Sequence, residues 1–416
     1  MTGSKDLPSR VNVWMEYGLC VFAFGIPVSI AVGEPAGFIV FLLWLLSLRV
    51  APDAAPLPAN PFRMVIPVFV GAVFIASALG VNPIRSFDKI TRFALMGAVF
   101  AMPVVCLREG KADWDRIAKF VACFLAGITA RAAYDCVRFG WALIHLEPAQ
   151  VETGIVDSTM VTSPWQALFA MGNMRDPQMY LVSTCLLVAA LVFGLWPQRR
   201  RLVTVALVLN AAGLLVHFKR GAWIAFAAAC LIMLLVAGNR RALLIFVIAA
   251  VATMAVPQVR ERLSLLRFEF TRDLGGRFPL WTEAAPKLIR KYPTGLGWKT
   301  LTYERLRSET PHVQRGLNHL HNTPLQILVE LGWAGLVAWL LWMGRALWVM
   351  VSNAIAGRRE GGALAALSLG VFGGFAGLMI NGCVEYNFGD TEIFMLLSLL
   401  MSCAASIWMG LKTRTT

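Results

Sequence analysis

GGRFPLWTEAAPKLIRKYPTGLGWKTL, residues 275–301, and NHLHNTPLQILVELGWAGL, residues 318–336, interrupt a chain that is otherwise apolar enough to live in lipid. Of the 416 residues, 58% are hydrophobic and 15% charged, and the mean hydropathy is +0.65. A water-soluble domain averages about one-quarter charged residues, so the composition indicates a polytopic membrane protein. The polar stretch between residues 275 and 335 holds His312, His319 and His321, three of the five histidines, among a dense set of Arg and Lys. The rest of the chain reads as a scaffold that holds this stretch at a membrane surface.

Working outward, a bilayer crossing takes about 20 mostly apolar residues. Twelve runs have this character: 13–32, 36–50, 64–80, 92–107, 117–137, 179–196, 202–218, 222–238, 242–257, 323–350, 364–381 and 391–410. The second and fourth are the weakest. The expectation is an all-α polytopic fold of about twelve transmembrane helices in three parts. Residues 1–257 carry the first nine helices, 258–322 a large polar loop with short amphipathic helices, and 323–416 the last three. With an even number of spans the termini share a side. Their side carries seventeen Lys and Arg against seven in the short loops opposite, which predicts cytoplasmic termini. MTGSKDLPSR lacks a small-residue cleavage site, so the first run is expected to be a retained span.

The net charge of +14 would suggest nucleic acid in a soluble protein. Here it is loop charge that orients spans and meets membrane lipids or anionic ligands, and no nucleic-acid partner is expected. Nearly all of the eight cysteines fall inside apolar runs, and no pair has ligand spacing. A metal site, a disulfide framework and a cofactor are therefore not expected. No phosphate-binding glycine loop is present, which argues against an ATP-driven pump.

On the non-cytoplasmic side, loop 138–178 is neutral to acidic and reads as an interfacial helix or lid. In the large loop, Leu280, Ala284 and Leu288 recur at helical spacing with basic residues between them. This predicts a short amphipathic helix at the membrane interface, ended by the turn residues of YPTGLGW.

Chemistry-bearing residues cluster on that side. Lys219 and Arg220, in HFKRGAW between two apolar runs, put positive charge where the short-loop rule disfavours it; snorkelling is the bland alternative. Arg277 follows two glycines that let backbone approach a ligand, and its guanidinium offers bidentate donation to phosphate. His319 and His321 precede the tenth span; neutral imidazole is what a general base needs. Arg131 and Asp135, one turn apart in the fifth span, read as an internal ion pair. Glu330 and Glu16 read as partners of buried polar groups. The last outer loop, NGCVEYNFGDTE, holds Glu385, Asp390 and Glu392 without a positive charge, and Asp390 is singled out by its address alone.

Taken together, the G-R-x-x-x-W segment at Gly276–Trp281, the P-x-G-x-G turn at Pro293–Gly297 and the H-N-x-x-L-Q-x-x-x-E-x-G-x-x-G stretch at His321–Gly335 resemble the signature region of the O-antigen ligase and polymerase superfamily. HFKRGAW resembles that family's R-G-small segment. The resemblance implies a helical membrane glycosyltransferase of the GT-C kind, using a glycan linked to undecaprenyl diphosphate and, for a ligase, a lipid A–core acceptor. It further implies an inner-membrane protein with its site facing the periplasm. The family's arginines would fall on Arg220 and Arg277, its histidine on His321 and its acidic residue on Asp390; Lys219, His319 and Asn322 would assist in binding donor or acceptor. Chemically, the arginines would stand in for a metal, and His321 would take the proton of the attacking hydroxyl in an inverting transfer. By analogy within the family, one large outer loop favours a ligase over a polymerase; a protein O-oligosaccharyltransferase of the same superfamily is a further alternative. A flippase or transporter for a lipid-linked glycan is the alternative of another class, disfavoured because there is no repeat symmetry and the polar residues lie on one side.

Overall fold

A segment in lipid must satisfy its own backbone donors and acceptors, so apolar runs of this length fold as helices. The computed structural model describes residues 7–50, 59–108, 111–145, 176–264, 266, 277–310 and 318–413. Helices α1 (Leu7–Val28) and α2 (Ile30–Val50) form an N-terminal hairpin. They are followed by α3 (Val65–Leu79), by α4 (Pro83–Ile90) leading through a 3-10 turn into α5 (Ala98–Cys106), and by α6 (Trp114–His145). Next come α7 (Asp176–Phe193), α8 (Arg200–Val216), α9 (Arg220–Ala237), α10 (Arg240–Met254) and α11 (Pro257–Ser264). The polar segment carries α12 (Arg277–Pro279), α13 (Ala285–Lys291) and α14 (Tyr303–Glu309). The last three helices are α15 (Thr323–Glu360), α16 (Gly362–Gly382) and α17 (Thr391–Lys412). The strands among the described residues are β1 (Leu107–Arg108) and β2 (Lys111–Ala112), an antiparallel pair with Leu107 opposite Ala112.

The chain is thus an all-α, multi-pass membrane protein. Each of the twelve apolar runs coincides with a helix, and the weak second run extends to a full-length one, Ile30–Val50. Twelve crossings, however, exceed what length and composition support. Among the described residues eight helices are long and apolar enough to cross a membrane, or nine when α7 and α8, bent by 113°, count as one span. Helices α3 and α10 have 15 residues each, short of the usual crossing length. The ends of α7 and α8 farthest from their connection come back together, because Tyr180 and His217 both reach Asp135 of α6 and Ser183 Oγ donates to Asn210 Oδ1 at 2.7 Å.

Helices α16 and α17 form the centre. They are apolar on all sides, as a helix surrounded by other helices must be, and residues along nearly the whole length of α17 are buried. Glycines on α16 let its neighbours approach: Gly373 abuts Met233 of α9, and Gly374 and Gly377 abut Val182 and Leu181 of α7.

A second, smaller core lies in the polar segment. Leu280, Ala284, Ala285 and Leu288 pack with Leu296, Leu301, Leu306, Leu320 and Val329. The amphipathic stretch is therefore helical as expected, with a π-helical turn at Leu280–Ala284, but its apolar face is spent on this core and not on the lipid interface. Tyr292 ends the helix, at the turn foreseen for YPTGLGW. The loop 138–178 reading falls largely on residues 146–175, which lie outside the described residues, as do Gly275, Gly276 and His312.

Helix α15 breaks at Gly332 (φ 66°, ψ −171°), a conformation open essentially to glycine. The break frees two carbonyls: Leu296 N donates to Val329 O at 3.0 Å and Gly297 N to Glu330 O at 2.8 Å. A Cβ on Gly295 would lie 2.4 Å from Glu330 O, and one on Gly332 would lie 2.6 Å from Pro293 O. The P-x-G-x-G turn and the E-x-G break are thus two halves of one backbone docking, which ties the polar segment to the helix that follows it.

Candidate active site

Three short stretches meet at the end of the bundle where α9 and α15 begin. The first is the start of α12. Arg277 Nη2 lies 2.6 Å from Glu385 Oε1, and Nη1 donates to Val384 O at 2.5 Å. The second is the turn before α15, where His321 Nδ1 lies 2.8 Å from Glu385 Oε2. The third is the loop between α16 and α17, which supplies Glu385 itself. One carboxyl therefore bridges a guanidinium and an imidazole. Burial alone would raise the Glu385 pKa, but the His321 hydrogen bond and the Arg277 charge outweigh it and hold it down at about 2. Glu385 is therefore ionised and can only accept, which puts a proton on His321 Nδ1; in the neutral imidazole the lone pair is then on Nε2.

Asn322 is the N-cap of α15: its Oδ1 accepts from Leu325 N at 2.9 Å, while its Nδ2 donates to Cys383 O at 2.8 Å. His319 stacks edge-on against His321 with ring centroids 4.1 Å apart, and its Nδ1 accepts from the His321 N–H at 3.3 Å. Burial, with the neighbouring His321 ring and Arg277 adding to it against the opposing Glu385, pushes His319 down to about 3, so it is neutral. Trp281 braces the turn by donating to Leu320 O at 2.7 Å.

Arg220 opens α9 and is 8% exposed, with Lys219 as the half-buried N-cap residue. The neighbouring Gly221 sits so close to the last loop that a Cβ there would lie 3.2 Å from Val384 Cγ2. The first turn of α9 thus abuts the same Val384 whose carbonyl holds Arg277. Beside it runs an apolar groove of about 500 Å³ lined by Phe139, Leu215, Phe218, Trp223, Val256 and Val259.

Among the described residues three non-glycine residues occupy the left-handed region, Phe218 (φ 52°), Lys299 (φ 59°) and His321 (φ 49°). All three lie at this end of the bundle. Such conformations persist only where surrounding contacts over-determine them, and they concentrate at functional sites.

Sequence reasoning brought Arg277, His319, His321 and Asn322 to one place, and the structure does the same. It missed Glu385. Asp390, chosen from the same loop, is the N-cap residue of α17, and its own N–H donates to Asn387 O at 3.2 Å. No local motif separates Glu385 from Asp390 or Glu392; only the path of the loop does. Lys299 was also missed: its backbone N–H donates to Glu330 Oε2 at 3.1 Å and its ammonium to Gly389 O. Glu330, which also accepts from Gln326 Nε2 at 2.8 Å, is the buried structural partner foreseen for it. Glu16 likewise pairs with Lys119 at 2.9 Å, and Arg131 with Asp135 at 3.4 Å. Among the described residues no group of three His, Cys, Asp or Glu side chains is arranged to hold a metal ion.

No curated protein matches the chain. Residues 205–340, about a third of the chain, match the family model described as O-Antigen ligase. The matched segment contains Arg220, Arg277, His319, His321 and Asn322, and the match supports a likeness to the O-antigen ligase superfamily.

Proposed function

We propose that the protein is an O-antigen ligase of the bacterial inner membrane, transferring a glycan from undecaprenyl diphosphate to a sugar hydroxyl of lipid A–core on the periplasmic side. The observation that carries this reading is the Arg277–Glu385–His321 chain of contacts. It couples a phosphate-binding cation to a base of defined tautomer. In the reaction His321 Nε2 accepts the proton of the attacking hydroxyl, and the hydroxyl oxygen bonds to the anomeric carbon. The bond from that carbon to the diphosphate oxygen breaks on the opposite face, so the centre inverts. Glu385 stabilises the imidazolium that forms, as the carboxylate does in other His–carboxylate pairs. Arg277 and Arg220, with Lys219 nearby, receive the departing diphosphate, an electrostatic role that needs no metal in this scheme. The groove beside Phe218 and Trp223 suits the apolar tail of the donor. The sugar–diphosphate bond already carries the driving force, so no nucleotide is required.

The test uses purified protein with undecaprenyl-diphosphate glycan, lipid A–core, excess chelator and no nucleotide. Glycan on lipid A–core supports the ligase. Longer lipid-linked glycan without that product points to a polymerase. No product with either acceptor points to a transporter. His321→Ala should bind donor yet lose transfer; a folded variant that transfers normally removes the base from the scheme.

A further inference from the structure

On the reading that Arg220 binds the donor diphosphate, we propose that Asp135, Tyr180 and His217 form a positioning cluster that sets Arg220 in place from inside the bundle. Asp135 is 7% exposed within α6. Its Oδ2 accepts the Tyr180 hydroxyl of α7 at 2.5 Å and the His217 Nε2–H at 3.0 Å, while its Oδ1 faces Arg131 Nε at 3.4 Å. None of these side chains takes part in the transfer chemistry above.

Their address is what matters. His217 caps the C-terminus of α8, and only Phe218 and Lys219 separate it from Arg220 at the start of α9. Phe218 is held in the left-handed region, an unfavourable conformation for a bulky residue that neighbouring contacts must enforce. Its ring lies 6.1 Å from Phe139 and 5.9 Å from Trp223. Trp223, in the first turn of α9, donates Nε1–H back to Leu214 O of α8 at 2.8 Å. The short connection is therefore fastened at both ends, by His217 on Asp135 and by Trp223 on Leu214. A shift of α9 that moved Arg220 away from the last loop would break a buried hydrogen bond or release the Phe218 conformation. Buried ion pairs often contribute little net stability compared with well-packed apolar groups, and in some proteins such groups specify one geometry. That property is what a cation placed against a reacting diphosphate needs.

The experiment measures donor and acceptor KM and kcat for full-length Asp135→Ala, Asp135→Asn, Tyr180→Phe, His217→Gln, Arg220→Ala and the Asp135→Ala/Arg220→Ala double variant, with thermal unfolding in parallel. Positioning predicts that Asp135→Ala raises the donor KM about tenfold or lowers kcat/KM for the donor by a similar factor, with the acceptor KM unchanged. The double variant should be no worse than Arg220→Ala alone, because residues acting through one group are non-additive. His217→Gln, which keeps a donor toward Asp135, should recover most of the activity. If the two losses multiply, or donor and acceptor constants change together in step with a lower unfolding temperature, the cluster is merely structural and the proposal falls. Should Asp135→Ala fail to fold, Tyr180→Phe, which removes a single bond, and Asp135→Asn, which removes the charge but keeps the shape, carry the same comparison. An Arg220→Ala protein with normal donor constants overturns the diphosphate assignment itself, and is recognisable because the Asp135 variants are then irrelevant to it.

Discussion

Replacing Glu385 by Gln tests the linkage at the centre of the site. The carboxylate accepts from Arg277 at 2.6 Å and from His321 at 2.8 Å, one oxygen to each. Glutamine keeps the shape but has one acceptor oxygen. It can serve either the guanidinium or the imidazole, and its amide group then faces the other donor. Each hydrogen bond to a charged group is worth about 1.5–3 kcal/mol. Arg277 and Glu385 are both about one-fifth exposed, so solvent screening lowers the stability cost to about 1–3 kcal/mol. The catalytic cost is larger. Without the carboxylate the imidazole loses the partner that fixes its tautomer and stabilises its protonated form. General-base catalysis contributes about 10²–10⁴-fold, so transfer should fall by about 10²–10³-fold, or about 3–4 kcal/mol. The assay is single-turnover transfer in nanodiscs at saturating donor, with donor binding and unfolding temperature measured separately. His321→Ala and the Glu385→Gln/His321→Ala pair should be equally inactive. A folded Glu385→Gln protein whose turnover stays within about threefold of wild type would refute the orienting role.

Other expectations follow from the same geometry. Gly332→Ala places a Cβ 2.6 Å from Pro293 O in a glycine-only conformation, and should cost about 3 kcal/mol or more; thermal unfolding and expression level report it, while Gly344→Ala, in open space on the same helix, serves as the neutral control. Asn322→Ala removes the N-cap of α15 and the bond to Cys383 O, for a loss of about 1–2 kcal/mol. Asn322→Asp keeps the cap and should recover part of that stability, and equal unfolding temperatures for the two variants would contradict it. His319, held down to about 3, is neutral in the folded state where the unfolded chain titrates near its ordinary value of 6.5. Its contribution is fully present above pH 6.5 and is lost as pH falls toward 3, at up to about 1.4 kcal/mol per pH unit. His319→Gln should flatten the unfolding profile across that interval; an unchanged acid slope would show that His319 is not buried neutral.

Much of the protein was legible as sequence because its determinants are local. Hydropathy over some twenty residues marks each lipid-crossing helix, and all twelve runs are helices. The spacing of Leu280, Ala284 and Leu288 marks a helical face without contact information. Arg277 and His321 could be singled out because each stands in a short, composition-marked stretch, and Asn322 through the family resemblance of the stretch that holds it. What local signals do not carry is the partner of a face or a side chain. Whether the 280–288 face meets lipid or a core depends on Leu296, Leu306, Leu320 and Val329, up to 49 residues away along the chain. Glu385 and Asp390 share one acidic loop and look alike in one dimension; the tertiary path of that loop brings Glu385 between Arg277 and His321 and leaves Asp390 at a helix start. The same holds for the glycines of the P-x-G-x-G turn and the break at Gly332. Each is visible alone as a turn former, but their mutual docking is a steric fact about two backbones that only the folded chain brings within van der Waals contact.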